Sequence, residues 1–181
     1  MAAERGKPRA RVPVTEAALA EAALAYLNRR DASRDKLAGK LEDWVRRRGE
    51  PADAAAARPL IAALLARYEA SGLIDDTRLA SAAVTRLRAR GASKRLIQQK
   101  LRQHRVGAGA IDSALAAEVD AGHGSELAAA RALVARRKLG PFRPEPERAE
   151  KRRRDLATLA RAGFDFDTAL KALEASPEDD F

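Results

Sequence analysis

The sequence GLIDDTRLASAAVTRLRARGASKRLIQQKLRQHRV, residues 72–106, decides the fold of this chain. Asp75 and Asp76 stand where a helix N-cap is expected, since a short carboxylate accepts the free N–H groups of a first helical turn. Apolar residues then recur at helical spacing: Leu79, Ala83, Val84 and Leu87. Gly91 is expected to end this helix, and Ser93 to begin a second one that carries Ile97 and Leu101. The stretch therefore predicts two consecutive amphipathic helices.

Charge is distributed unevenly along the same stretch. Between Thr77 and Ile111 the chain has no Asp or Glu. It has nine cations there: Arg78, Arg86, Arg88, Arg90, Lys94, Arg95, Lys100, Arg102 and Arg105. Their number equals the formal net charge of the whole protein, +9, so the rest of the chain is close to neutral. The helical pair is predicted to carry one strongly basic surface, which suits an acidic partner, nucleic acid first.

Composition indicates an all-α protein. Apolar residues make up 46% of the 181 residues but aromatic residues only 4%, and no alternating or β-branched run predicts a strand. The absence of Cys favours a reducing compartment. The first residues lack the apolar segment of a signal peptide, and no apolar run is long enough to span a bilayer. A cytoplasmic protein without membrane contact is therefore expected.

The helical pattern repeats along the chain. Setting Ser33 on Ser93, an offset of 60, aligns Leu27 with Leu87, Arg30 with Arg90, Leu37 with Ile97, Lys40 with Lys100 and Leu41 with Leu101. An offset of 58 brings Leu101 onto Leu159 and Val106 onto Phe164. We predict an elongated tandem array of three three-helix repeats, at residues 14–72, 73–124 and 125–176. A disordered basic arm, residues 1–13, precedes the array, and an acidic tail, residues 177–181, follows it.

The sequence offers little for catalysis. There is no Cys, and the two histidines, His104 and His123, do not have the spacing of metal ligands. Asp75 and Asp76 are better explained as helix caps than as a metal site or a general base. The single Trp, Trp44, falls in an apolar helical stripe, which favours core packing over stacking on a base. We predict a protein that is not an enzyme and that has no metal or cofactor.

Two groups of residues resemble motifs of the RecX family. The central motif is similar to Gly72-Leu73-Ile74-Asp75-Asp76, Leu79-Ala80, Arg90-Gly91-Ala92-Ser93, Ile97, Lys100-Leu101 and Val106. The family's carboxy-terminal unit resembles Leu159-Ala160-Arg161-Ala162-Gly163-Phe164-Asp165-Phe166-Asp167 with Ala169, Leu170 and Leu173. The resemblance spans residues 15 to 175 and implies three tandem three-helix repeats.

The resemblance implies a regulator of RecA, the recombinase that polymerises on single-stranded DNA. Such proteins bind the RecA filament and limit its growth, ATPase and strand exchange, and so modulate homologous recombination, DNA repair and the SOS response. On charge placement, twelve cations are predicted to contact RecA or the DNA phosphates: Arg30, Arg34, Lys36, Lys40, Arg86, Arg90, Lys94, Arg95, Lys100, Arg102, Arg152 and Arg153. A monomer is expected, because no long apolar stripe is left unassigned.

Two alternatives stay open at this stage. Residues 94–117 could form a helix-turn-helix that binds DNA without RecA, although the second helix offers few side chains that read bases. Such a module would bind without sequence preference and would be sensitive to salt. The other alternative is a protein scaffold whose basic face has no ligand.

Overall fold

A computed structural model describes residues 12–50 and 53–175. Within these residues the chain forms nine α-helices and no strand, so the all-α prediction is confirmed. The helices are α1 (Glu16–Leu27), α2 (Arg34–Arg48), α3 (Asp53–Ala70), α4 (Asp76–Arg88), α5 (Lys94–Gln103), α6 (Ala108–Asp120), α7 (Glu126–Arg137), α8 (Glu145–Arg161) and α9 (Phe166–Glu174). A 3-10 turn, Gly140–Phe142, lies between α7 and α8.

Hydroxyl side chains fix the start of four of these helices. Thr15, Ser33, Ser93 and Ser125 each accept a hydrogen bond from the backbone N–H three residues further on, at 3.1–3.3 Å. Each cap satisfies one N–H that the first turn leaves free, and such a cap stabilises a helix by about 1 kcal/mol. Ser93 is the helix start that the sequence pattern predicts, and Ser33 is the position that aligns with it at an offset of 60.

The chain divides into two compact units, Met1–Asp76 and Thr77–Phe181. In the first unit, α1, α2 and α3 enclose one apolar core, centred on Leu19, Leu37, Leu41, Leu64 and Leu65. Trp44 is partly buried against this core, as its place in the apolar stripe predicts. Val12 donates its backbone N–H to the Arg48 carbonyl at 2.8 Å. The arm through Arg11 and the acidic tail lie outside the described residues.

The second unit contains two apolar cores. One gathers residues of α4, α5 and α6, including Val84, Ile97 and Ile111. The other gathers residues of α7, α8 and α9, including Val134 and Leu159. Three helices therefore share each of the three cores, which is compatible with three repeats; the repeat boundaries stay a prediction.

Carboxylates complete two helix starts from a distance. The backbone N–H of Arg34, the first residue of α2, donates to Asp76 at 2.9 Å. The backbone N–H of Lys94, the first residue of α5, donates to Glu126 at 2.9 Å. Asp76 is thus the first residue of its own helix and caps another one, a role that sequence spacing alone did not indicate.

Candidate anion-binding site

A concave site in the second unit brings five cations together. The cavity has a volume of about 470 Å³. Its charged lining consists of Arg90, Lys100, Arg136, Arg137 and Arg161. Its other lining residues are mostly apolar or small: Leu87, Gly91, Ala92, Leu96, Leu133, Thr158 and Ala162. We call this site the basic pocket.

Two close contacts border the pocket, one between two backbone segments and one from a side chain to a backbone carbonyl. Gly91 has φ +70°, and a Cβ placed on it would lie 2.5 Å from the Leu133 nitrogen and 2.7 Å from the Ala129 oxygen. The turn between α4 and α5 therefore touches the backbone of α7, and only glycine leaves the room for this contact. Ser93 donates its hydroxyl to the Ala162 carbonyl at 2.7 Å, which ties the start of α5 to the end of α8. The pocket lies between these two contacts.

All five cations of the basic pocket lie at or near helix C-termini. Arg90 follows the end of α4, and Lys100 lies in the last turn of α5. Arg136 and Arg137 lie in the last turn of α7, and Arg161 is the last residue of α8. A helix C-terminus carries a partial negative charge, which stabilises a nearby cation by about 0.3–1 kcal/mol. This stabilisation offsets part of the repulsion among the five cations and lets the cluster form inside one unit.

No acidic side chain neutralises the basic pocket. None of its lining residues is an Asp or a Glu. In the described part of the chain, none of the five cations forms an ion pair. Arg161 instead donates its Nε to the Ala157 carbonyl at 3.1 Å. The pocket therefore presents uncompensated positive charge to an incoming ligand.

Some cations elsewhere in the second unit are paired, among them Arg88 and Arg143. Arg88, which is 8% exposed, pairs with Glu126 at 2.6 Å. Asp155 receives two bonds of 2.8 Å from Arg143 and one of 2.9 Å from the Gly140 N–H. Burial alone would raise the pKa of the Asp155 carboxyl, but these donors outweigh it and hold that pKa below its usual value.

The structure brings together only two of the twelve cations predicted as contacts, Arg90 and Lys100. Four others are exposed on the same helices without lining the pocket: Arg86, Lys94, Arg95 and Arg102. Arg152 pairs with Glu174 at 2.8 Å, and Arg153 is exposed.

The predicted contacts in the first unit have varied surroundings. Arg30 lies over the Tyr26 ring, 5.7 Å from its centroid. Arg34 pairs with Glu69 at 3.1 Å. Lys36 is half-buried and Lys40 is exposed.

Sequence reasoning missed three of the pocket arginines, Arg136, Arg137 and Arg161. The sequence does contain a signal for Arg136 and Arg137. Residues 127–144 contain no Asp or Glu but five cations, so the chain has a second acid-free run after the one at 77–111. The close approach of α7 to Gly91 brings the two runs to one cavity.

Residues 12–50 and 53–175 contain neither a metal-binding cluster nor a membrane-spanning helix. No group of three or more His, Cys, Asp or Glu is arranged to hold a metal ion there. None of the helices in these ranges is long and apolar enough to cross a membrane.

The fold and the pocket define an all-helical protein with an anion-attracting cavity. No family model matches the chain. It is 41% identical to "Regulatory protein RecX" of Myxococcus xanthus (strain DK1622), over 96% of this chain and 93% of the relative. It is 38% identical to the protein of the same name from Halorhodospira halophila (strain DSM 244 / SL1), over 90% of this chain and 91% of that one.

A solved structure agrees at the level of the fold. The "Crystal structure of regulatory protein RecX" matches with a TM-score of 0.62 at 21% identity, over 88% of this chain and 73% of that chain. The sequence relatives decide the family: this chain belongs to the RecX family of regulatory proteins.

Proposed function

We propose that this protein binds the RecA filament on single-stranded DNA and limits its growth, ATPase and strand exchange. Through that action it modulates homologous recombination, DNA repair and the SOS response in the cytoplasm. It acts by binding and not by catalysis. Family membership supports the regulatory role.

One observation supports the way in which it binds. Arg90 and Lys100, from the acid-free run at 77–111, meet three further arginines in the basic pocket. Cations without internal partners can displace the counterions of DNA phosphates, which makes binding favourable and dependent on salt. The exposed cations of α4 and α5, such as Arg86 and Arg102, extend this surface beyond the pocket.

The rival hypothesis is a DNA-binding module that acts without RecA. Residues 94–117 include α5 and most of α6, which could be arranged as a helix-turn-helix. Exposed polar residues of α6 include Asp112 and Asp120, whose carboxylates repel phosphate. This composition favours α5, and not α6, as the DNA-facing element.

The experiment is a titration of RecA ATPase on single-stranded DNA with substoichiometric amounts of this protein. Wild type is expected to lower the ATPase rate. The variant Arg86→Ala/Arg90→Ala/Lys100→Ala is expected to need at least about tenfold more protein, since each lost phosphate contact weakens binding. DNA binding without RecA is measured in parallel by fluorescence anisotropy.

A matched control removes the same charge from the first unit. Arg46→Ala/Arg47→Ala/Arg58→Ala likewise removes three exposed cations, here all arginines. If this control weakens inhibition as much as the test variant, net charge and not the surface of α4 and α5 is responsible. An unchanged ATPase rate at equimolar protein, with DNA binding intact, would contradict the RecA proposal and favour the stand-alone module.

A further inference from the structure

The basic pocket carries more positive charge than is needed to neutralise one phosphodiester of a strand backbone. A phosphodiester carries one negative charge, whereas the pocket is lined by five cations and no carboxylate. A terminal phosphate carries about −1.5 to −2 at pH 7, with three strong acceptor oxygens. The excess of charge therefore favours a terminal phosphate as the ligand inside the pocket, and it leaves the exposed cations of α4 and α5 outside the pocket for the continuous backbone.

We propose that the basic pocket is a binding site for a terminal phosphate group, carried by a phosphorylated strand end or by a free nucleotide. The inference goes beyond the proposed function and does not need it, since the ligand binds without RecA. Both sources present the same chemistry to the pocket.

The shape of the pocket suits such a ligand. Its volume of about 470 Å³ lies within the range of small-molecule sites, roughly 300–1,000 Å³. Leu87, Leu96 and Leu133 supply an apolar wall against which a sugar or a base can lie. A flat basic surface would hold a backbone equally well anywhere along it, whereas a cavity admits a chain end or a small molecule.

The side chains suit phosphate more than a carboxylate-bearing peptide. Four of the five cations are arginines. One planar guanidinium group donates two parallel hydrogen bonds to two oxygens of the same phosphate. They approach from three separate helix ends, α4, α7 and α8. Donors that converge from several directions match the three acceptor oxygens of one terminal phosphate better than the two of a carboxylate.

The test compares two short single strands that differ only in a 5′-phosphate, in the full chain without RecA. Wild type is expected to bind the phosphorylated strand about tenfold more tightly at roughly 100 mM salt, where distant charges are screened. Arg136→Gln/Arg137→Gln is expected to bring this ratio close to one. Inorganic tripolyphosphate and a nucleoside triphosphate serve as competitors that probe the free-nucleotide source.

The control variant Arg47→Gln/Arg58→Gln removes two exposed arginines from the first unit. We expect it to weaken the binding of both strands equally and to leave the ratio of the two affinities unchanged. Lys100→Gln provides a second pocket variant should the double variant fail to fold. If the triphosphate displaces the strands but wild type does not prefer the phosphorylated strand, the proposal is supported and the ligand is a free nucleotide. If the two strands bind with equal affinity and the triphosphate displaces neither, the proposal is overturned.

Discussion

Arginines of the second unit have two opposite kinds of surroundings: some pair with a carboxylate and others have no carboxylate partner. Around Asp155, Arg143 is held by two bonds to one buried carboxylate, which also accepts the Gly140 N–H. In the basic pocket, five cations share one cavity and none has a carboxylate partner there. α8 contributes to both places, Asp155 from its middle and Arg161 from its end.

The difference separates cations that hold the fold from cations that are available to a ligand. A buried carboxylate is costly unless donors surround it, so Asp155 and Arg143 depend on each other for stability. The pocket cations lie near solvent and helix C-termini, so the fold tolerates them without partners. Removing the first kind should change stability, and removing the second kind should change binding.

The largest expected effect is at Asp155. Asp155→Ala removes the partner of Arg143, whose side chain is only 20% exposed, and leaves the Gly140 N–H without its acceptor. Breaking one side of a buried pair costs about 3–5 kcal/mol. Urea denaturation should show this loss in the free energy of unfolding.

Glu174→Ala is the control for an exposed ion pair. Glu174 pairs with Arg152, and both side chains are about half exposed. Such pairs contribute roughly 0–1 kcal/mol. Equal losses in the two variants would mean that the burial of Asp155 does not matter.

Acid should remove the Asp155 contribution. Because the pKa of Asp155 is lower in the folded state than in the unfolded state, its stabilisation is complete above the unfolded pKa. It is lost as pH falls through the folded pKa. The stability difference between wild type and Asp155→Asn should therefore be constant from neutral pH to about pH 5 and should shrink below about pH 4. A difference that grows on acidification would contradict the pairing.

A smaller loss of stability is expected at Gly91, where the turn between α4 and α5 contacts α7. Gly91→Ala combines a positive φ with contacts of 2.5–2.8 Å to the backbone of α7. The conformation costs about 1–2 kcal/mol for a residue with a Cβ, and the clash adds to it. We expect a loss of at least about 2 kcal/mol in urea denaturation.

Gly72→Ala isolates the conformational part of that cost. Gly72 has φ +71°, but a Cβ there would meet nothing within 4 Å. The variant should lose about 1 kcal/mol in the free energy of unfolding. A loss as large as that of Gly91→Ala would show that the approach to α7 is not tight.

The sequence was sufficient for features that depend on neighbours in the chain. The helix caps at Ser33 and Ser93 follow from local hydrogen bonding, and the apolar stripes of Val84 and Ile97 follow from helical periodicity. Arg90 and Lys100 were identified because they lie in one acid-free run. These signals act over a few residues and need no tertiary information.

The remainder of the site depends on contacts between distant segments. Arg161 lines the same cavity as Arg90, and one contact that holds their segments together is the bond from Ser93 to the Ala162 carbonyl, 69 residues further along the chain. Asp76 caps α2 across 42 residues, and no local rule predicts that partner. A cation pattern shows how much charge a helix carries, whereas the pairing of that charge is fixed by packing.

The smallest stability effect is expected in the pocket itself. Arg136→Gln/Arg137→Gln removes two favourable interactions with the end of α7, about 0.3–1 kcal/mol each, and also relieves repulsion from Arg90, Lys100 and Arg161. These terms oppose each other, so the free energy of unfolding should change by less than about 1 kcal/mol. Both terms are screened by salt, so the wild type and the variant should converge further as ionic strength rises in urea denaturation. A loss above about 2 kcal/mol would place these arginines with Arg143 among the cations that hold the fold, and the pocket could then no longer be separated from the structural ion pairs.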